Sequence, residues 1–136
     1  MTEIESEELI VSRKSEKVYH FLKDLRNYAK LLPSDATLIY AEEKEAEIHL
    51  SGLGKFKVSV IDSKPNNWLK LKPQGKLPFS FDIEWHIKDI ADHCTVKGKI
   101  NAQLNMFIKM IAEPKLKDFV KSQAYKLKDF IENEVE

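Results

Sequence analysis

Apolar and polar residues alternate most strictly between Phe79 and Leu104. Phe79, Phe81, Ile83, Trp85 and Ile87 alternate with Ser80, Asp82, Glu84, His86 and Lys88, and period two over that length predicts a strand buried on one side. Ala91-Asp92-His93 turns the chain into a partner. There Cys94, Val96, Gly98, Ile100, Ala102 and Leu104 share one face, and Thr95, Lys97, Lys99, Asn101 and Gln103 share the other. The period then changes. From Asn105 to about Asn133, Ile108, Ile111, Ala112, Leu116, Phe119, Val120, Leu127 and Ile131 recur at helical spacing. Pro114 sits inside that stretch and predicts a kink or break, because proline lacks an N–H and crowds the preceding turn. Ahead of it, Met106, Phe107, Met110 and Ile111 make the helix apolar around more of its circumference than one core stripe requires.

Upstream, Glu3–Arg13 reads as a first strand around Leu9-Ile10-Val11. Ser15, as N-cap, opens a helix whose Val18, Phe21, Leu22 and Leu25 share a face. A second helical turn is expected over Asn27–Leu32, ended by Pro33. Four further alternating segments follow, at Ala36–Glu42, Ala46–Ser51, Lys55–Ser63 and Trp68–Lys72. They are separated by turns at Glu43-Lys44-Glu45, Gly52-Leu53-Gly54 and Pro65-Asn66-Asn67. The expectation is one α+β domain over residues 1–136.

Strand, two short helices, six antiparallel strands and one long C-terminal helix make a distinctive order. With Ser15–Leu25 after the first strand, Gly52-Leu53-Gly54-Lys55-Phe56 between strands and Asn105–Leu127 as the closing helix, the chain resembles the SRPBCC superfamily. That superfamily has the helix-grip fold and includes START lipid-transfer domains, polyketide cyclases and relatives of the birch-pollen allergen. The resemblance implies a curved seven-stranded antiparallel sheet with the first strand beside the last. It also implies a long helix over the concave side and a cavity between them.

On that basis the expected cavity wall is Phe21, Val58, Leu71, Phe81, Ile83, Trp85, Gly98, Ile100, Met106, Phe107 and Met110. Methionine adapts to irregular ligand shapes, and Gly98 and Ala102 would leave room between sheet and helix. The same side chains could pack as a plain core, the ordinary fate of a regular apolar stripe. The expected function is binding or carriage of a small hydrophobic molecule, lipid-like or aromatic, with residues 28–33 and 73–78 gating access. The alternatives are a cyclase- or hydrolase-like enzyme, or an interaction module on the outer sheet face. Enzymatic chemistry would need polar side chains pointing inward; Tyr40, Asp62 and Asn101 reach the interior only in one strand register.

Composition narrows the rest. Lys and Arg number 22 and Asp and Glu 22, so no overall charge draws the chain to nucleic acid. Locally, Lys55, Lys57, Lys64, Lys70, Lys72 and Lys76 face one acid, Asp62, around Trp68. That run allows weak contact with an anionic surface, or a solvated face of lysine stems over the ring. Cys94 is the sole cysteine, with no activating neighbour. His20, His49, His86 and His93 do not fall at metal-ligand spacing, so no metal, cofactor or catalytic residue is assigned. The acidic Thr2–Glu8 segment is not a signal peptide, and no apolar run is long enough to span a bilayer. A cytoplasmic location is expected.

Overall fold

The computed structural model describes residues 2–75 and 77–133. In chain order it contains β1 (Thr2–Glu5), β2 (Leu9–Val11), α1 (Ser15–Lys23), a 3₁₀ helix (Leu25–Lys30), β3 (Ala36–Ala41), β4 (Ala46–Leu50), β5 (Gly54–Lys64), β6 (Trp68–Gln74), β7 (Ser80–Ile90), β8 (His93–Gln103) and α2 (Met106–Asn133). One antiparallel sheet runs β1-β8-β7-β6-β5-β4-β3, with β2 also on β8. The first strand therefore lies beside the last, as the resemblance implied.

The expected strand Glu3–Arg13 is two short strands rather than one. Ser6 marks the break. Its N–H donates to the Gly98 carbonyl and its Oγ accepts from the Gly98 N–H, at 2.8 Å. A buried hydroxyl here replaces a ladder bond, so no backbone group of Gly98 is orphaned where the strand bends. The cap of α1 also differs from expectation. Lys14 is the capping position, without a side-chain bond, and Ser15 is the first helical residue. Asp89 of β7 does the capping, accepting from the Ser15 N–H at 3.1 Å and the Ser15 hydroxyl at 2.6 Å. The second helical turn is a 3₁₀ helix beginning at Leu25, two residues before the expected start.

α2 is continuous across Pro114, so the expected break is absent. Pro114 lies on the solvent side, as does Met110, the residue whose carbonyl loses its partner. Water can satisfy that carbonyl, which removes the pressure to interrupt the helix. From Ala112 onward α2 buries Ala112, Leu116, Phe119, Val120, Gln123, Ala124, Leu127 and Ile131, and it packs on β1, β2 and β8. Strand residues from both halves of the sheet join α1, the 3₁₀ helix and α2 in one buried cluster.

The outer sheet face is a mosaic of opposite charges. Lys97 pairs with Glu5 at 2.7 Å, Lys99 with Glu3 at 3.4 Å and Lys70 with Asp82 at 3.7 Å. Of the basic run anticipated around Trp68, Lys70 is thus paired, and Glu47 stands opposite Lys57 in the β4–β5 register, which supports the reading of a solvated face. Lys76 lies outside the described residues.

Candidate functional site

The expected wall divides into two groups. Val58, Leu71, Phe81, Ile83, Trp85, Gly98 and Ile100 point inward and are buried together. Phe21 is buried too, but at the helical end, where its ring stacks near Phe130 at 5.1 Å. Met106, Phe107 and Met110 do not join them; they are 84, 84 and 80% exposed, and Ile111 is 62% exposed. Helical phase explains the correction. Ile108 and Ala112 begin the core-facing line of α2, and the four outward residues stand on the other side of the same two turns. A groove along this stretch is lined by Met106, Lys109, Met110, Glu113, Pro114 and Lys117. All six belong to α2, so it is an open helix surface rather than a chamber.

The room expected beside Gly98 is occupied. A Cβ on Gly98 would stand 2.8 Å from a Val120 methyl carbon and 3.0 Å from a ring carbon of Trp85. The small residue thus admits an indole instead of leaving space. Trp85 is fully buried, and its Nε1–H has no hydrogen-bond partner among the described residues. The Tyr28 hydroxyl is its neighbour, but the two do not meet in hydrogen-bond geometry. Burial pushes the Tyr28 phenol far up. On α2, one turn beyond Val120, Gln123 is buried with its Oε1 also unpartnered.

An orphaned donor and an orphaned acceptor therefore sit in the layer between sheet and helix. Each costs roughly 1–3 kcal/mol while unsatisfied, so the pair is the most conspicuous chemical feature of the interior. Sequence patterning alone does not single out Gln123 as a site residue. Its signal was nonetheless present, as an amide at a position where the stripe Leu116, Val120, Ala124, Leu127 demands an apolar residue.

The polar residues considered for catalysis lie elsewhere. Asn101 donates from the outer face to Asp82 at 2.9 Å and also to Glu84. Asp62 is exposed and Tyr40 is only half-buried on the edge strand β3. A register shift in β5 between Val60 and Asp62 is the kind of irregularity that turns such a side chain away from the core face. Cys94 is buried, and that burial pushes its thiol up to about 11, far from a reactive thiolate at neutral pH. Among the described residues, no group of three or more His, Cys, Asp or Glu side chains could hold a metal ion, and no helix is long and apolar enough to cross a membrane.

No protein-family model and no curated protein matches the sequence. Solved structures do match in shape. KanY superposes with TM-score 0.77 at 15% identity, covering 98% of this chain and all of that one. Norcoclaurine synthase from Thalictrum flavum, solved with dopamine and hydroxybenzaldehyde, superposes with TM-score 0.74 at 14% identity, covering 99% and 89%. The Aha1 dimer from Colwellia psychrerythraea gives TM-score 0.69 at 17% identity, covering 98% of each chain. These likenesses are of shape over nearly the full length, and they agree with the strand order and the long closing helix: the chain has the helix-grip fold.

Proposed function

We propose that this protein binds, without transforming it, a small hydrophobic molecule bearing one hydroxyl group, held between the sheet and α2. The observation that carries the reading is that Trp85 Nε1–H and Gln123 Oε1, on the two layers that face each other, are each buried without a partner among the described residues. A hydroxyl accepts and donates at once, so one such group can serve an orphaned donor and an orphaned acceptor together. The remainder of the ligand would be held by apolar burial, at about 25 cal/mol per Å² removed from water. Norcoclaurine synthase, a structural neighbour, was solved with dopamine and hydroxybenzaldehyde, which supports the idea that this scaffold accommodates small aromatic molecules with oxygen substituents.

The space beside Gly98 is taken by Trp85 and Val120, so binding there requires α2 to yield. Its first two turns are the weakest-held part, since Met106, Phe107, Met110 and Ile111 contribute almost nothing to the core. Residues 28–33 are an unpromising gate by comparison, because Tyr28, Leu31 and Leu32 are themselves buried. A carrier rather than an enzyme is favoured by the groups that face inward. Tyr28 and Cys94 are both pushed toward their neutral forms by burial, whereas proton transfer works best with a pKa near the working pH.

Calorimetric titration with 2-naphthol and with naphthalene tests the reading. The hydroxylated compound should bind more tightly by about tenfold, the worth of one well-made hydrogen bond, and Gln123→Leu should abolish the preference. Equal binding of the two compounds, or none of either, would overturn it.

A further inference from the structure

The first two turns of α2 carry a second apolar face that the interior does not use. At about 100° per residue, Met106, Phe107, Met110 and Ile111 fall opposite the buried line that Ala112, Leu116 and Phe119 form. Pro114 extends this face by a turn. Beyond Pro114 the same side becomes polar, with Lys117, Asp118 and Lys121 exposed. The apolar surface is therefore short, bounded and directed away from the core.

Its rim is cationic. Between residues 106 and 121 there are four lysines, Lys109, Lys115, Lys117 and Lys121, against two carboxylates, Glu113 and Asp118. Glu113 is shared by Lys109 at 3.9 Å and Lys117 at 3.5 Å, so a single carboxylate serves two ammonium groups. Lys115 turns back along the sheet, with its side chain against Gly52 in the turn between β4 and β5.

We propose that this end of α2 docks on an anionic lipid bilayer, with Met106, Phe107, Met110 and Ile111 entering the headgroup region and the lysines meeting lipid phosphates and carboxylates. A short helix face, apolar on one side and rimmed by lysine, has the chemistry of an interfacial anchor. A second copy of this chain fits less well on two counts. At about 100 Å² of apolar area per side chain, four side chains offer about 400 Å², half of the about 800 Å² per partner in a standard interface. A symmetric pair would also bring the same lysine-rich rim against itself. The docking requires no interior ligand, so it stands or falls separately from naphthol binding.

Vesicle flotation at low salt tests the proposal, using phosphatidylcholine vesicles with or without roughly a third phosphatidylserine. The intact chain should float with the serine-lipid vesicles and bind the neutral ones about tenfold less well. Phe107→Ser with Met110→Ser should lower that binding by about tenfold with an unchanged melting temperature, because both side chains lie outside the core. Lys109→Gln with Lys117→Gln should erase the preference for anionic lipid. Failure to float with anionic vesicles overturns the proposal, as does flotation that the Phe107/Met110 variant leaves intact. A wild-type dimer in sedimentation that the same variant dissociates would overturn it in favour of a second copy.

Discussion

Trp85 and Gly98 face each other across β7 and β8 as register partners, and the absent side chain of Gly98 is what admits the indole. A Cβ there would meet Trp85 ring carbons at 3.0 and 3.2 Å and a Val120 methyl carbon at 2.8 Å. The branched valine and the indole ring are both stiff neighbours, so a methyl group can be accommodated only by moving the sheet, the indole or α2. Gly98→Ala should therefore destabilise the protein by about 1–3 kcal/mol, the usual range for overpacking a filled core. In a double-mutant cycle with Val120→Ala the two costs should not add, because the second substitution removes the closest clash. Urea denaturation of the four variants measures this, and additive losses would refute the contact.

That same contact shows where sequence reasoning stopped. Alternation along Phe79–Ile87 and Cys94–Leu104 was enough to place both strands and their inward faces, because burial on one side imposes period two. The first strand's place beside the last came from the resemblance, not from the alternation. The interior was harder to foresee. A glycine on an inward face reads equally as spare room or as a seat for a large neighbour, and only the β7–β8 register, which sets Trp85 opposite, distinguishes them. Met106 and Met110 were assigned to the wall for their apolarity, although phase relative to Ala112 and Leu116 places them outside. The Ser6 break and the Asp89 cap depend on partners 92 and 74 positions away, beyond the reach of any local pattern.

Pro114 offers a test of a different kind. It stands inside a continuous helix with its ring in water, holding no core contact that α2 depends on. Pro114→Ala restores the missing N–H to the Met110 carbonyl and relieves the crowding. Thermal unfolding should show a gain of about 1–3 kcal/mol, up to the full difference between proline and alanine in a helix interior. A loss would mean that the irregularity at Pro114 itself supports the packing of α2.

Asp89 ties the start of α1 to β7 through the Ser15 hydroxyl and N–H. Those two bonds, the hydroxyl's first, hold its carboxyl below the ordinary 3.8. A carboxyl held low in the folded state contributes stability that is present above the unfolded value and is lost as pH falls through the folded one. The contribution should thus be complete above about pH 4 and vanish in stronger acid. Asp89→Asn keeps one acceptor oxygen but turns the other into a donor, so it should cost about 1 kcal/mol at neutral pH, the worth of one hydrogen bond, and the gap from wild type should close below pH 3.8. Chemical denaturation across that range decides it; a gap that persists in acid would show that the charge plays no part.

Cys94 makes the opposite prediction at alkaline pH. Burial, aided by the nearby Asp89, raises its thiol from 9.0 to about 11. The folded state then keeps a proton that the unfolded chain releases, so stability is full below pH 9.0 and declines as pH rises toward 11. Cys94→Ala should flatten that decline relative to wild type. Native protein at pH 8 should also react with a thiol reagent orders of magnitude more slowly than unfolded protein. Comparable rates in the two states would contradict the burial.

The most direct test of the central claim is the Trp85 indole N–H resonance followed by NMR during a 2-naphthol titration, with the Trp68 indole as an internal reference on the outer face. A ligand hydroxyl accepting from Trp85 Nε1 should move that peak downfield in a saturable manner while the Trp68 peak stays in place. A Trp85 resonance that remains fixed at saturating naphthol, or a shift confined to Trp68, would contradict an interior site built on Trp85 and Gln123.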